Sequence, residues 1–197
     1  MQRLSEDKSI IIDNPDKKYE LSSCDPLWKD HFSIYKYYIE ELFGDDAVGI
    51  EHIGSTSVPA MLAKPVIDVL VVVMDISLVE HFRSQFVRDF FEVHFERYIA
   101  RSYQIRKMHN GKRVANIHVF PVGHPYLHVM ISERDYWLQF PESAKEYSNT
   151  KQKIFDQCGD DYKKYLFLKK EYLDSIEPVI LQWYEASGQK SLYRKYE

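Results

Sequence analysis

The sequence has little cysteine, and its cysteines do not form a metal-binding pattern. Only Cys24 and Cys158 occur among the 197 residues, and they are not spaced as metal ligands are. We therefore expect free thiols in a reducing compartment. The simplest role for each is that of a small buried hydrophobic side chain.

Long apolar segments and an excess of positive charge are also missing. The longest apolar run, Val66 to Met74, contains Asp68 and is far too short to cross a bilayer. The first residues, MQRLSEDKSI, lack the apolar region of a signal peptide. With a formal net charge of -4, the chain lacks the basic character that nucleic-acid binding usually needs. We expect a soluble cytoplasmic protein without a membrane partner, and nucleic acid is disfavoured as a ligand.

Several widespread catalytic motifs are absent as well. The chain has no GxSxG element, no glycine-rich P-loop ending in GK[ST], and no cysteine-histidine pairing. His109, His124 and His128 have no metal-ligand spacing, so we expect no zinc site. These absences argue against the common hydrolase, kinase and thiol chemistries.

The hydrophobic pattern that is present predicts a sheet followed by helices. With 45% hydrophobic residues the chain can bury a real core as one compact domain. Strands are expected at AVGIEHI, VIDVLVVV and FEVHFE, and in two alternating runs joined by Asn110-Gly111, a strong hairpin signal. VIDVLVVV is apolar on both faces, which is typical of a strand in the middle of a covered sheet. An α+β fold with about four to six strands follows.

Helical spacing fills most of the remaining chain. Asp25 and Pro26 begin a helix that ends at Gly44, and Asp75 can cap a second helix over ISLVEHFRSQFVRDF. After Pro125 the pattern is helical, with separate helices expected over DYKKYLFLKKEYLDSI and EPVILQWYEAS. A short hairpin is expected near the N-terminus, with its turn at DNPDK.

An acid inside the apolar strand VIDVLVVV is the most informative residue. A buried carboxylate is costly unless it is paired, hydrogen-bonded or bound to a metal, so Asp68 needs a partner. The preceding Gly54-Ser55 turn lets the backbone approach a ligand, and its N–H groups can hold phosphate oxygens. Ser55 or Thr56 could add a hydroxyl. Mg²⁺ is typically held by one or two carboxylates together with substrate phosphates, so the combination predicts a metal-nucleotide site.

The stretch EHIGSTSVPAMLAKPVIDVLV resembles the signature of the GrpB family, an uncharacterised group of the nucleotidyltransferase superfamily. DPLWKDHF, YQIRK, NIHV and SERDYWLQFPESAKEYSNTKQKI are similar to later blocks of that family, so the resemblance covers roughly residues 21–184. It implies one α+β, nucleotidyltransferase-like domain over 1–197, a mixed sheet flanked by helices, with a hairpin extension at 1–20 and C-terminal helices at 125–187. Ala60 and Met61 stand where the family usually has glycine and leucine, from which we expect only a stiffer turn.

The resemblance implies an incomplete set of catalytic acids. Active nucleotidyltransferases follow the glycine-serine pair with an acid, a hydrophobic residue and a second acid, whereas this chain has Asp68, Val69 and Leu70. A single carboxylate cannot easily hold the two metals that clamp an in-line phosphoryl transfer. Asp75 is no substitute, because seven strand residues place it roughly 23 Å away and on the other face.

Other residues could replace the missing groups. Period two puts Asn116 and His118 on one face of VANIHVF, and His118 could act as a base, a phosphate ligand or a metal ligand. A histidine that is simply part of the core or the sheet edge is the alternative. His52 carries the same ambiguity, and Glu51, on the opposite face, could be a charge on the sheet surface.

Basic residues could neutralise triphosphate charge. Lys64 precedes the Asp68 strand, and Arg106 and Lys107 lie on the hairpin strand opposite that of His118. Alternatively, Lys64 is a solvated loop lysine, and Lys107 and Arg113 lie on a polar face of the hairpin. Arg134 and Lys151 lie in the helical blocks of the resemblance, where they could line a cleft or form ordinary salt bridges.

Three functions remain open. The first is an Mg²⁺-dependent nucleotidyltransferase that moves a nucleotidyl group from a nucleoside triphosphate to an unidentified acceptor. The second is a non-catalytic module that binds a nucleotide or phosphometabolite, and the third is an interaction protein whose aromatic C-terminal helices form the contact surface. The predicted site residues are Asp68 as metal ligand, Asp68 and His118 as catalytic groups, and Gly54, Ser55, Thr56, Lys64, Arg106 and Lys107 as nucleotide-binding residues.

Overall fold

The computed structural model describes residues 20–96 and 99–188. The predicted N-terminal hairpin lies outside the described residues. Within them the chain forms five strands and six helices in the predicted order, sheet first and most helices last. They are α1 (Leu27–Phe43), β1 (Ala47–Ile53), β2 (Ile67–Val73), α2 (Leu78–His81), α3 (Arg83–Arg88), β3 (Phe91–Phe95), β4 (Tyr103–His109), β5 (Lys112–Pro121), α4 (Tyr126–Gln139), α5 (Pro141–Cys158) and α6 (Tyr162–Ala186).

The strands form one mixed sheet in the order β1-β2-β5-β4-β3. The pair β2 and β5 is parallel and the other pairs are antiparallel. Strand β2 has a neighbouring strand on each side, and helices cover both faces of the sheet. This position explains why its residues are apolar on both faces. Asn110 and Gly111 have φ of 48° and 75°, as a tight hairpin turn requires. The predicted α+β architecture, a mixed sheet flanked by helices, is confirmed.

The two faces of the sheet are covered by different helices. On one face Val69, Val71 and Val73 pack in a core with Trp28 of α1 and Phe86 of α3. On the other face Leu70 and Val72 pack with Leu127 and Ile131 of α4 and with Tyr184 of α6. Alternation along β2 therefore turns Asp68 toward the C-terminal helices.

Two helical predictions differ from the structure. The helix expected after Asp75 is divided into α2 and α3, and Asp75 does not cap it. Ser77 stands directly before α2, and the Asp75 carboxylate accepts a hydrogen bond from the Ser77 N–H at 2.9 Å in the preceding turn. The separate helices expected over residues 161–176 and 177–187 are one helix, α6, which continues through Pro178. Ile180 and Tyr184, which follow the proline, are buried, and this burial offsets the hydrogen bond that the proline removes.

The turn between β1 and β2 contains a residue in a left-handed conformation. Ala60 has φ of 63°, which glycine adopts freely and which places the Cβ of alanine close to the backbone. The alanine therefore strains the turn as well as stiffening it, and the expectation that it only stiffens the turn is wrong.

Both cysteines are free thiols, and none of the described helices resembles a membrane span. Cys158 is buried, Cys24 is half-buried, and neither forms a disulfide. Among the described residues, no helix is both long enough and apolar enough to span a membrane.

Candidate functional site

The turn that follows β1 lies directly against the acid on β2. Ile53 and Asp68 are paired neighbours on adjacent strands, so Gly54 passes beside the carboxylate. Gly54 has φ of 69°, and a Cβ at this position would lie 2.8 Å from Oδ2 of Asp68. Only glycine can adopt this backbone angle freely and also leave room for the carboxylate.

The Asp68 carboxylate is held by two side chains from the neighbouring strand β5. Its Oδ1 accepts a hydrogen bond from Nδ2 of Asn116 at 2.7 Å and lies 3.4 Å from Nε2 of His118. Burial by itself would raise the pKa of Asp68, but the bonds from His118 and Asn116, with the charge of Lys169, hold that pKa below its usual value. Asp68 is therefore an ionised acid at neutral pH, and its partners are Asn116 and His118 rather than Lys64 or Arg106, the pairing that the interaction-protein alternative supposes.

A cavity of about 350 Å³ opens beside this acid, between the sheet and helices α4, α5 and α6. Its walls combine the turn, cationic groups, two acids and several aromatic rings. Those of chemical interest are Gly54, Ser55, Thr56, Lys64, Asp68, Arg113, Asn116, His118, Tyr126, Glu133, Trp137, Tyr147, Lys151, Tyr162, Tyr165 and Lys169. Because cationic side chains outnumber acids here, the cavity favours an anionic ligand, and its aromatic faces suit a planar group.

Lys151 of α5 reaches the turn and is buried in the cavity wall. Its Nζ donates to Oγ of Ser55 at 2.9 Å and to the carbonyl of Leu62, and it lies 4.4 Å from the ring centre of Tyr147. Its side chain is 2% exposed, and no carboxylate of the described chain contacts it. Burial, together with the charge of Lys169, lowers the pKa of Lys151 to about 6. Of the two alternatives, lining a cleft or forming a salt bridge, the structure shows the first.

Glu133 of α4 also lines the cavity, and the sequence pattern does not single it out. Burial raises the pKa of Glu133 to about 7, with Lys169 lowering that pKa and Glu177 raising it further. The pKa of this carboxyl group therefore lies near neutral pH. One acid in a charged helix carries no periodic signal, and only the packing of α4 on the sheet makes it stand out.

Lys64 is held by an aromatic side chain of α6 and is not a solvated loop lysine. Its ammonium group hydrogen-bonds the hydroxyl of Tyr162 and lies 3.6 Å from the centre of that ring. The residue lines the cavity, as its predicted role in phosphate binding requires.

The predicted ligands Arg106 and Lys107 do not line the cavity. Lys107 pairs with Ala115 and so faces α1 and α3, where its ammonium donates to the carbonyl of Asp89 at 2.5 Å. It lies on the side of the sheet opposite Asp68, so the prediction that it binds phosphate is wrong. Arg106 shares the face of Asp68, but β5 separates its strand from β2, and it bonds Gln104 at 3.1 Å.

His52 and Thr56 form a structural pair beside the turn. Nε2 of His52 lies 3.0 Å from Oγ1 of Thr56, and the ring stacks on Phe32 of α1 with centres 4.8 Å apart. Burial lowers the pKa of His52 to about 4, so the ring is neutral at physiological pH. The ambiguity at His52 is thus settled in favour of a packed histidine, although Thr56 still borders the cavity.

Arg134 joins α4 to the edge of the sheet. Its guanidinium donates to Glu51 at 2.7 Å and to Asp135 at 2.8 Å. Glu51 is therefore part of an ion pair rather than an unpaired surface charge, and it shares the face of Asp68 because it pairs with Leu70. Arg134 forms salt bridges, the second of the two alternatives for that residue.

The oxygen atoms near Asp68 fit one Mg²⁺ but not two. Oδ1 of Asn116 is buried without a hydrogen-bond partner among the described residues, so it and the Asp68 carboxylate form a small set of hard oxygen donors. Leu70, where a second acid would stand, is fully buried in the core. Residues 20–96 and 99–188 contain no group of three or more histidines, cysteines or acids that could hold a metal. A single ion that keeps several waters and binds substrate phosphates suits this donor set, and a two-metal clamp does not.

Comparisons with known proteins agree on one family. The family described as GrpB protein matches residues 18–178. The UPF0157 protein YqkA of Bacillus subtilis is 32% identical over 169 residues, which are 86% of this chain and 49% of that protein, so the chain spans about half of this relative. The glutamate-rich protein GrpB of Alkalihalophilus pseudofirmus is 28% identical over 76% of this chain and 88% of its own length.

A solved structure shows the same fold. The crystal structure of the conserved protein GrpB from Enterococcus faecalis has a TM-score of 0.79 and 27% identity to this chain. The match covers 84% of this chain and 99% of that one. With the family match over most of the chain, this similarity shows that the protein belongs to the GrpB family.

Proposed function

We propose that the cavity binds a nucleoside triphosphate with Mg²⁺, and that the protein transfers the nucleotidyl group to an acceptor hydroxyl. The observation that carries the proposal is the cavity itself. It places a glycine-serine turn, an ionised acid, several cations and several aromatic rings around one space of about 350 Å³.

The phosphates and the base of a nucleotide match different residues of the cavity wall. Lys64, Arg113 and Lys169 supply positive charge for phosphate oxygens, and the Gly54-Ser55 turn brings backbone N–H groups close to the same space. Aromatic faces in the rest of the wall can stack a base, a contact worth about 1–3 kcal/mol.

Asp68 and Asn116 would hold the metal. When bound, Mg²⁺ supplies charge neutralisation and polarises a phosphoryl oxygen. The hydrogen bond from Asn116 and the contact with His118 fix the orientation of the Asp68 carboxylate, so the acid is positioned before ligand enters.

The acceptor hydroxyl also needs a base. His118 is the candidate that the sequence predicts, and it lines the cavity beside Asp68. Glu133 is a second candidate, because a base works best when its pKa lies near the working pH and the pKa of Glu133 is about 7. Replacing each by glutamine and measuring the pH dependence of transfer separates the two.

Calorimetric titration tests the binding step. Purified protein is titrated with each of the common nucleoside triphosphates, with and without Mg²⁺, and Asp68→Asn is compared with Asp75→Asn, an exposed acid outside the cavity. We expect binding that weakens at least tenfold without Mg²⁺ or with Asp68→Asn and is unchanged with Asp75→Asn. Absence of heat with every triphosphate would overturn the proposal.

Leu70 favours a second candidate, a module that binds the nucleotide without turning it over. The position of the second acid is occupied by a fully buried leucine, which leaves no room for a second metal ligand. This function predicts binding that survives a chelator and no pyrophosphate release with any acceptor. Pyrophosphate release measured under the binding conditions distinguishes the two functions.

A further inference from the structure

We infer that Ser55 is a nucleophile and Lys151 is its general base, so that the group taken from the triphosphate is carried on Ser55 before it reaches the acceptor. The inference deepens the proposed function and rests on it for the identity of the electrophile. Its geometry stands independently, because Nζ of Lys151 lies 2.9 Å from Oγ of Ser55 and both residues line the cavity.

The surroundings of Lys151 suit a base rather than an anchoring charge. A lysine that holds an ion pair has a carboxylate beside it, whereas the contacts of this ammonium group in the described chain are a hydroxyl, a carbonyl and an aromatic face. With a side chain only 2% exposed, the charged form loses its hydration, which favours the neutral amine. A serine beside a neutral lysine is a known arrangement for nucleophilic catalysis.

The pKa of Lys151, lowered to about 6, agrees with that geometry. The charged and titratable groups that share the cavity wall are Lys64, Asp68, Arg113, His118, Glu133 and Lys169, together with tyrosines at 126, 147, 162 and 165. Lys169 is the cation whose charge acts on Lys151, and it disfavours a second positive charge in the same space. Near neutral pH most Lys151 is therefore uncharged and able to accept a proton.

The proposed reaction has two displacements. First the proton of the Ser55 hydroxyl moves to Nζ of Lys151, Oγ attacks the α-phosphorus, and the bond to the pyrophosphate oxygen breaks, with pyrophosphate leaving as an anion. Then the acceptor hydroxyl attacks the same phosphorus, the Oγ–phosphorus bond breaks, Lys151 returns its proton to Oγ, and the proton of the acceptor passes to solvent or to Glu133. No oxidant or further reactant is needed.

This route accounts for a single catalytic carboxylate on β2. A direct transfer relies on two metals to activate the attacking oxygen and the leaving oxygen together. If a lysine activates an internal nucleophile, the attacking oxygen no longer needs a metal. A leucine at position 70 is then compatible with catalysis.

Labelling with an alkyl fluorophosphonate tests the pair without any nucleotide. Oγ attacks the phosphorus of this reagent, the P–F bond breaks, and fluoride leaves. We expect one adduct per chain, found by peptide mass spectrometry on Ser55, and none in Ser55→Ala. Ser57→Ala is the matched control, because the Ser57 hydroxyl bonds the Gly54 carbonyl and Ser57 lies outside the cavity wall.

Lys151→Met tests the base, with Lys153→Met, an exposed lysine on the same helix, as its control. We expect the labelling rate of Lys151→Met to fall by about 100-fold or more, the lower range for loss of a general base. The wild-type and Lys153→Met rates should rise with pH through about 6 and then level, whereas the residual rate of Lys151→Met should lack that step. Circular dichroism and thermal melting confirm that each variant is folded.

The results of these experiments test the Ser55–Lys151 pair and the proposed function independently. No adduct, an adduct on another residue, or a Lys151→Met rate within threefold of wild type overturns the inference. Labelling of Ser55 in a protein that binds no triphosphate supports the pair and overturns the proposed electrophile. Triphosphate binding without labelling supports the nucleotide site and overturns the pair.

Discussion

Gly54 and Asp68 exclude any side chain between them, since a Cβ on Gly54 would lie 2.8 Å from Oδ2 of the carboxylate. The close approach joins the turn to the acid across the β1–β2 pair. It also explains why the acid can be held in a fixed orientation, with Asn116 and His118 on its other side. The turn and the acid are thus one structural unit, although they are 14 positions apart in the sequence.

Replacing Gly54 by alanine should cost more stability than the backbone angle alone predicts. We expect a loss of about 1–3 kcal/mol in the free energy of unfolding, because a left-handed alanine and a displaced carboxylate are combined. Gly44→Ala is the matched control, since Gly44 has φ of 55° and no atom within 4 Å of the added Cβ. Urea denaturation compares the two, and equal losses would show that the carboxylate contact contributes nothing.

Ala60→Gly should stabilise the protein. Alanine is strained at φ of 63°, and relief of that strain exceeds the entropy that glycine adds to the unfolded chain. We expect a gain of about 0.5–1 kcal/mol by denaturant unfolding. The same exchange at Ala144, inside helix α5, should be destabilising, so a gain at both positions would contradict the explanation.

Stability should rise with pH above neutrality because of Lys151. The folded pKa of about 6 lies below the unfolded value of about 10.4, so between these values the unfolded chain binds a proton that the folded protein does not. The expected slope is at most about 1.4 kcal/mol per pH unit, and it is lost below pH 6, where both states are charged. Urea unfolding between pH 7 and 9 measures it.

Lys151→Met should remove this slope, and Lys153→Met should retain it, because Lys153 is exposed on the same helix. An identical slope in the wild type and in both variants would show that Lys151 keeps its proton in the folded protein.

Glu133→Gln should stabilise the protein at pH 8. The folded pKa of about 7 lies above the unfolded value of about 4.3, so the contribution of Glu133 is fully present below pH 4.3 and falls as pH rises to 7. Glutamine resembles the protonated acid at every pH. We expect a gain of about 1 kcal/mol or more at pH 8 and little change at pH 4, measured by thermal or urea unfolding.

Glu146→Gln, at an exposed position of α5, is the control and should show no such pH dependence. A destabilised Glu133→Gln at pH 8 would mean that the charged carboxylate is the favoured form, and Glu133 would then be a poor candidate for a base.

Much of the fold follows from local pattern. Strand β2 was predicted because its residues are apolar on both faces, and the hairpin at Asn110-Gly111 because few other residues adopt two consecutive positive φ angles. The α2–α3 break and the continuity of α6 through Pro178 were not predicted. In both places tertiary burial decides against a local signal.

The candidate site divides in the same way. Gly54, Ser55 and Asp68 could be identified because one turn and one strand hold them, and their spacing resembles a known signature. Lys107 was misplaced because the face of a strand residue depends on register, and its partner Ala115 points away from Asp68. Period two along β4 puts Lys107 and Arg106 on opposite faces of the sheet but does not say which of them shares the face of Asp68.

The sequence by itself determined the α+β order, the central strand with its buried acid, and the glycine that must accompany it, because short-range geometry and the cost of burying charge leave few alternatives. Only the tertiary structure decided which groups complete the cavity. Lys151 is 96 residues from Ser55, and the packing of helices on the sheet brings their side chains to 2.9 Å. The same packing buries Lys151 and Glu133 and shifts the pKa of each toward neutrality, an effect of desolvation that no local pattern encodes.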